Sequence, residues 1–202
     1  VCRVKPRAVP EKKVQHGVGG CKIPVGVRMR AKISPVTLPS LLPAKDAETK
    51  DNNSGNFHTY KVFHGLAQNS IHGIVKTNSG SIWVATNGGV SEFDGKYFRN
   101  YSMDNGLPHN QVWSICEDRH GNLWMGTFGG GVVCYDGFSF ITYSLGQGMP
   151  TDKIVGVSED HLGNFWFVAY QTGIIYFQPD SNTLKSGTAF LITKENGLVS
   201  ND

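Results

Sequence analysis

Short apolar strands separated by turn residues recur along residues 65–202. Where the pattern is clearest, apolar residues alternate or run briefly, and four strands are predicted, at 112–117, 123–127, 132–136 and 138–143. Gly121 falls at the first turn and Asp136-Gly137 at the last, where the backbone needs residues that suit a tight hairpin. The pattern predicts a four-stranded antiparallel sheet of about 40 residues.

This unit is repeated along the chain. The copies begin near equivalent glycines: Gly65, Gly106, Gly148 and Gly197. Trp83, Trp124 and Trp166 recur 41 and 42 residues apart. A fixed period of this length indicates a repeat architecture. We therefore predict an all-β protein, a β-propeller with about three four-stranded antiparallel blades and the start of a fourth.

Residues that recur in every copy are predicted to be structural. The three tryptophans are interpreted as packing residues between neighbouring blades, with a stacking platform for a sugar or a base as the alternative. A turn glycine precedes each of them, at Gly80, Gly121 and Gly163. The glycine runs after strand two resemble phosphate-binding loops only superficially, because no helix is predicted to follow them.

The acidic turn of the second copy, EDRHGN at 117–122, contains side chains that also occur in metal sites. The third copy repeats the turn at 159–164 but has its histidine one position earlier, and the first copy has Lys76-Thr77 in place of the acids. A metal ligand would keep its position between copies, whereas a turn residue need not. The cysteines form no C-x-x-C pair. No metal site and no cofactor is predicted, and Cys2 and Cys21 could either pair or stay reduced.

The N-terminal quarter differs in composition. Residues 1–50 carry eleven Lys and Arg against three Asp and Glu, a net charge of +8, and residues 51–202 carry eight against thirteen, −5; together they give +3. Prolines are frequent among the first residues. An extended linker, largely unstructured, is predicted at 1–55, ahead of a partial propeller at 56–202. A basic arm for a membrane surface or nucleic acid is the alternative; aromatic residues do not interleave with these charges, and no nucleic-acid partner is predicted.

The stretch NGLPHNQVWSICEDRHGNLWMGTFGGGVVCYDG, at 105–137, resembles the two-component regulator propeller repeat. That family's repeat follows the pattern N-G-L-x-x-N-x-V-x-x-I-x-E-D-x-x-G-x-L-W-x-G-T, and the resemblance covers 65–202. The first copy departs from it at Lys76-Thr77, and the third departs at Val168-Ala169 and has an insertion near 179–187. WD-type and kelch repeats fit less well, whereas streptogramin lyases have a similar turn.

The resemblance implies a sensor. Proteins of this family are large bacterial hybrid sensors whose propellers lie outside the cytoplasmic membrane and precede a membrane helix, a histidine kinase and often a DNA-binding regulator. By resemblance, the chain is expected to be periplasmic, to bind a small molecule or an oligosaccharide, and to act in a phosphorelay with the rest of a parent sensor chain. A fragment of a lyase-like enzyme and a protein-interaction scaffold are the alternatives.

Positions that differ between copies at a loop mouth are candidate ligand contacts. The loops from strand two to three and from strand four to the next strand one are expected to share one face of the propeller. Asn87, Phe128 and Tyr170 occupy the same position there, and His109 and Gln111 lie on an inter-blade loop. Aromatic rings stack on sugars and amides bond to their hydroxyls. We predict ligand binding by these five residues, with coverage of the blade end as the alternative for the two aromatic ones.

Strand one carries a further set of variable residues. His72, Trp113 and Val155 share a position and could either line the central shaft or pack between blades. No nucleophile elbow or pair of carboxylates at catalytic spacing is found. His109 is the loop histidine placed for acid–base chemistry, and it has no evident partner. The chain is predicted to be non-enzymatic, and the resemblance implies a histidine kinase as its parent.

Three blades alone leave two exposed edges, which soluble proteins avoid. The chain is therefore expected to be part of a longer product, or to associate with further copies of itself through its open blade edges.

Overall fold

The computed structural model describes residues 24–45, 48–49, 58–180 and 184–201. Its regular elements are β-strands and short 3-10 helices. Five strands precede the repeats: β1 (Gly26–Arg30), β2 (Lys32–Pro35), β3 (Leu42–Pro43), β4 (Glu48–Thr49) and β5 (His58–Thr59). The first blade comprises β6 (Ile71–Lys76), β7 (Ile82–Thr86), β8 (Gly89–Phe93) and β9 (Tyr97–Tyr101). The second comprises β10 (Val112–Glu117), β11 (Leu123–Thr127), β12 (Val132–Tyr135) and β13 (Ser139–Tyr143). The third comprises β14 (Ile154–Glu159), β15 (Phe165–Ala169), β16 (Gly173–Pro179) and β17 (Ser186–Ile192).

Each repeat folds into one antiparallel blade whose strands are hydrogen-bonded in chain order. The first strands, β6, β10 and β14, contact one another from blade to blade and therefore lie innermost. The fourth strands lie towards the perimeter. Strands β10 and β11 occupy the residues predicted from the alternating pattern. The prediction of an all-β propeller is confirmed, although each blade has five strands because an N-terminal strand adds to its outer edge.

Aspartates close the turns between the third and fourth strands. Asp136 Oδ1 accepts hydrogen bonds from Phe138 N at 2.9 Å and from Ser139 N at 2.7 Å. Asp94 forms the same turn in the first blade, where a hydrogen bond from the backbone of Tyr97 holds the pKa of its carboxyl below the ordinary value. The hairpins predicted from the Asp-Gly pairs are confirmed.

A 3-10 turn that ends at a glycine with positive φ connects successive blades. Before the second blade, Ser102 N donates to Asn105 Oδ1 at 3.0 Å. After the third blade, Thr193 N donates to Asn196 Oδ1 at 2.8 Å, and Gly197 follows with φ of +106°. The predicted start of a fourth copy thus has the same local structure as the start of the second.

Aromatic rings fill the space between blades. Trp83 is buried, and its ring centroid lies 5.6 Å from that of Tyr135 in the second blade. Trp124 is fully buried, and its ring lies 3.9 Å from that of Phe165 in the third blade. Both tryptophans therefore lie between neighbouring blades in the structure. Trp166 is 37% exposed, because no blade within the described residues covers its side of the third sheet.

Residues 24–45, which we call the perimeter segment, run along the outer edges of all three blades. β1 pairs with β17 of the third blade, β2 with β13 of the second, and β3 with β9 of the first. The prediction of a largely unstructured tail is therefore wrong for this part of 1–55. An outermost strand leaves N–H and C=O groups unpaired, and an extended segment satisfies them. Residues 1–23, 46–47 and 50–57 lie outside the described residues.

Met29 anchors the perimeter segment in the core. It is fully buried and belongs to the cluster formed between the second and third blades, together with Trp124 and Phe177. The neighbouring Arg28 donates two hydrogen bonds to the carboxylate of Asp180, at 2.8 and 2.5 Å. Apolar burial and a paired edge together hold β1 in place.

We expect Met29→Ala to lower the free energy of unfolding by about 3 kcal/mol, because it removes a fully buried side chain and leaves a cavity. Val27→Ala is the matched control on the same strand, since Val27 is 47% exposed, and it should cost less than about 1 kcal/mol. Urea unfolding followed by tryptophan fluorescence measures both losses. Equal, small losses would show that β1 does not contribute to the core.

Candidate functional site

The acidic turn of the second blade is a structural turn. Asp118 is buried, and its Oδ1 accepts hydrogen bonds from His120 N at 2.9 Å and Asn122 N at 2.8 Å. Its Oδ2 accepts from Asn122 Nδ2 and from Trp124 Nε1, both at 2.9 Å. The carboxylate is thus fully engaged in fixing the turn and the inter-blade tryptophan.

Asp160 closes the corresponding turn in the third blade. Burial raises the pKa of its carboxyl, but hydrogen bonds from the backbone N–H groups of Asn164 and Leu162 outweigh that effect and hold the pKa below the ordinary value. Its contribution to stability is therefore present above the ordinary carboxyl pKa and is lost as the pH falls through the lower folded value.

The glutamate of each acidic pair connects neighbouring blades. Glu117 accepts a hydrogen bond from Asn78 N of the first blade at 2.9 Å, and Glu159 accepts one from Arg119 N of the second blade, also at 2.9 Å. The Glu-Asp pair of the repeat therefore has two separate structural tasks. Lys76 occupies the glutamate position in the first copy, and the described part of the chain has no blade before that copy.

The cysteines within the described residues are not arranged for chemistry. Burial raises the pKa of the Cys116 thiol to about 12, with a further contribution from the negative charge of Asp118. Burial also raises the pKa of Cys134. A pairing of Cys2 with Cys21 lies outside the described residues.

Over 24–45, 48–49, 58–180 and 184–201, no group of three or more His, Cys, Asp or Glu side chains is placed to hold a metal ion. In the same ranges, no helix has the length and apolarity needed to span a membrane.

The predicted ligand residues lie at the opposite ends of the strands from the acidic turns. Here the β11–β12 turn is hydrogen-bonded to the loop that precedes β10 and to the loop that precedes β14. Phe128 N donates to the carbonyl of Gln111 at 2.9 Å, and Gly129 N donates to the carbonyl of Asp152 at 2.9 Å. The prediction that the two kinds of loop share one face is confirmed.

The innermost strands each contain a bulge near this face. The pairing register shifts between Ile71 and Gly73, between Val112 and Ser114, and between Ile154 and Gly156. The residues within these shifts are His72, Trp113 and Val155, the variable set on strand one. A bulge re-aims the side chain of the extra residue. This explains how Trp113 reaches the ring of Phe128 on the β11–β12 turn and how His72 reaches the ring of Trp113.

Four rings form a continuous row across the three blades, which we call the aromatic row: His72, Trp113, Phe128 and Tyr170. His72 and Trp113 are stacked, with centroids 4.6 Å apart and planes 5° from parallel. Trp113 also stacks on Phe128 at 5.2 Å, and Phe128 meets Tyr170 edge to face at 5.4 Å. Trp113 is 37% and Tyr170 42% exposed, so the row remains open to solvent. The sequence left two alternatives for His72 and Trp113, lining the central shaft or packing between blades. In the structure their rings contact each other across the first two blades, at a surface open to solvent.

Asn87 continues the row on the first blade. Its Oδ1 lies 2.8 Å from His72 Nε2. The contact orients the imidazole in the stack and occupies the amide oxygen of Asn87. Three of the five predicted ligand residues, Asn87, Phe128 and Tyr170, are thus brought together with two residues of strand one.

The other two predicted residues have mainly structural contacts. His109 Nδ1 accepts a hydrogen bond from Gln111 N at 3.1 Å, and its ring lies over Gly129, where a Cβ atom would come within 2.8 Å of it. The carbonyl of Gln111 is bonded to Phe128 N. In the described ranges no carboxylate is hydrogen-bonded to His109, so the geometry gives no support to an acid–base pair at this residue.

Lys153 is a site residue that the sequence analysis missed. Its Nζ lies 5.3 Å from the centroid of the Phe128 ring, a cation–π distance. Its backbone bridges to Phe128, and its carbonyl accepts a hydrogen bond from Tyr170 N at 2.9 Å. One residue therefore connects the two aromatic turns and places an ammonium group beside them. It directly precedes β14 as Gln111 directly precedes β10, so the variation between copies that selected Gln111 could also have indicated Lys153.

A groove of about 590 Å³ lies on the opposite face, between the acidic turns of the second and third blades. Its polar groups are largely paired with one another. Arg119 Nε donates to Glu159 Oε1 at 2.5 Å, and Arg119 Nη2 donates to the carbonyl of Asp160 at 2.6 Å. We therefore place the candidate site at the aromatic row, where exposed rings combine with uncommitted polar groups.

The sequence model of the two-component regulator propeller family matches residues 65–88 and 106–129. Two segments of the chain, in the first and second blades, are thus similar to the two-component regulator propeller repeat. The matched segments start at the glycines that open the first two blades and extend through the strand-two tryptophans to the turns that carry Asn87 and Phe128. No curated protein has detectable sequence similarity to the chain.

Solved structures share the fold. The extracellular domain assigned to a hybrid two-component system of B. thetaiotaomicron superposes with a TM-score of 0.55 at 19% identity, over 77% of this chain and 28% of that chain. The extracellular domain assigned to a one-component system of the same organism gives 0.54 at 20% identity, over 87% and 27%. The chain thus spans little more than a quarter of either structure. A streptogramin B lyase gives 0.48 at 16% identity, over 62% and 41%, which is too low to support an argument.

Proposed function

We propose that these two-component regulator propeller repeats form part of an extracytoplasmic sensor domain that binds an oligosaccharide at the aromatic row. The observation that carries the proposal is the row itself. Four rings from three blades meet at one open surface, and strand bulges place two of them there. Exposed aromatic side chains bordered by hydrogen-bonding groups are suited to the apolar faces and hydroxyls of sugars.

Signalling requires a difference between two arrangements of the parent protein. A ligand shifts an equilibrium only by its differential affinity for the two states. The row crosses the two interfaces between three blades, so a ligand lying along it would favour one relative placement of those blades. In this proposal the parent chain is a histidine kinase that senses this placement, and the propeller repeats themselves carry out no catalysis.

A glycan array with the full 202-residue chain tests the proposal. We expect Tyr170→Ala and Phe128→Ala each to weaken the binding signal at least about tenfold, since a buried aromatic contact in a binding site is typically a dominant one. Phe138→Ala is the matched control, because Phe138 is 83% exposed on the turn at the opposite end of the second blade.

Thermal melts of all three variants separate lost binding from lost folding. Tyr170 is already substantially exposed, so its variant should melt close to the parent chain. Binding that persists in both row variants, or that falls equally in Phe138→Ala, would refute a site at the aromatic row.

A further inference from the structure

Three side chains in or beside the aromatic row, Asn87, Trp113 and Lys153, present hydrogen-bond donors at this surface. The amide oxygen of Asn87 faces His72 Nε2, which leaves the two amide N–H groups of Asn87 for other partners. Within the described ranges, the structure shows no acceptor for the indole N–H of Trp113. These donors come from the first and second blades, and Lys153 adds a charged donor from the third.

Lys153 is exposed and has no ion pair in the part of the chain that the structure describes. The carboxylate next to it in sequence is hydrogen-bonded to another loop residue through one of its oxygens. Asp152 Oδ1 accepts a hydrogen bond from Leu145 N at 2.6 Å, and the Asp152 carbonyl accepts from the β11–β12 turn. The ammonium group of Lys153 therefore lies over Phe128 with no compensating carboxylate bonded to it.

We infer that the ligand of the aromatic row is an anionic oligosaccharide, one whose sugar units carry carboxylate or sulfate groups. This inference rests on the proposed function. Sugar hydroxyls both donate and accept, and a neutral glycan would offer the ammonium group of Lys153 no opposite charge. A carboxylate or sulfate only accepts, and a charge-assisted hydrogen bond from an ammonium group is among the stronger polar contacts. The rings contact the sugar rings, and Lys153 with the N–H groups contacts the acidic substituents.

The test measures binding of the full chain to an array of acidic oligosaccharides and of neutral ones of equal length, including methyl-esterified forms of the same uronate oligomers. We expect acidic glycans to bind at least about tenfold more tightly than their esterified forms, with the difference reduced at high salt. Lys153→Gln should remove that preference, and Lys153→Arg should retain it.

Lys96→Gln is the matched control. Lys96 Nζ lies 5.0 Å from the ring of Tyr97, a similar cation–ring contact, but on the β8–β9 turn at the opposite end of the first blade. Acidic glycans that bind the parent chain and Lys96→Gln but bind Lys153→Gln about tenfold more weakly would support the inference. Equal binding of neutral and acidic forms, or binding unaffected by Lys153→Gln, would overturn it and leave the proposed function intact. An array with no bound glycan would overturn both.

Discussion

Trp124→Ala should lower the free energy of unfolding by about 4 kcal/mol, toward the upper end of the cost of core truncations. The indole is fully buried, and its ring lies 3.9 Å from that of Phe165 in the next blade. Its Nε1 also donates to Asp118 Oδ2 at 2.9 Å. The substitution creates a cavity between two blades and removes one of the donors that satisfy a buried carboxylate.

Trp166→Ala is the matched control for this prediction. Trp166 has the same repeat position, with Nε1 3.3 Å from Asp160 Oδ2, but it is 37% exposed. We expect a loss of about 1 kcal/mol. Trp124→Phe, which keeps a ring against Phe165 but has no N–H, should give an intermediate value. Urea unfolding followed by circular dichroism measures all three losses. Equal losses of unfolding free energy in the two alanine variants would show that Trp124 does not stabilise the protein through packing between blades.

Gly131→Ala should cost about 3 to 4 kcal/mol, because two penalties combine at this position. Gly131 has φ of +77°, and a Cβ atom there would lie 2.1 Å from the carbonyl oxygen of Tyr143. The backbone of β13 cannot withdraw without breaking its pairing with β12. Gly131 N also donates to the Asp152 carbonyl at 3.0 Å, so the variant should disturb the turn that carries Phe128.

Gly137→Ala separates the two penalties. Gly137 has φ of +92°, but no atom lies within 4 Å of its added Cβ. Only the backbone cost of about 1 kcal/mol should remain. Equal unfolding free energies for the two glycine variants would mean that the chain relieves the clash at Gly131 cheaply, and that this turn is more adaptable than its geometry indicates.

These predictions separate two classes of residue in one repeat. Trp124 recurs in all three copies, and Glu117 and Asp118 recur in the third, because these side chains close a turn or contact a neighbouring blade. His72, Trp113 and Phe128 lie at repeat positions that are fixed in place but hold different residue types in the different copies. The recurring residues hold the variable ones at a common surface, so a repeat of constant structure can present different side chains from each blade.

Repeat periodicity is why the fold could be predicted from sequence. The Trp spacing, the Asp-Gly turns and the alternating strands each indicated the same four-stranded unit, and the structure confirms it at β10 and β11. The role of the acidic turn was also accessible, because a histidine that changes position between copies cannot be a recurring ligand. Local hydrogen bonding by Asp118 then accounts for the conserved spacing within the turn.

The candidate site was only partly accessible. Asn87, Phe128 and Tyr170 could be selected because they vary at a constant position beside a turn. His72 and Trp113 could not be placed, since a bulge leaves no mark in the apolar pattern and a shift of one residue changes the direction of a side chain. Lys153 was missed because its importance depends on its distance from a ring in another blade.

The sequence by itself determined the blade, its turns and the repeat, because these depend on local conformational preferences and on a short period of apolar residues. The tertiary structure decided which side chains from different blades meet, and it decided the place of the perimeter segment. Composition averaged over fifty residues indicated a disordered tail, but hydrogen bonding to an edge strand is made by the backbone and depends little on composition. The perimeter segment is held by the buried side chain of Met29 and by pairing with the outer strands of three blades. Only the assembled propeller provides the core that receives Met29 and the strand edges that pair with the segment.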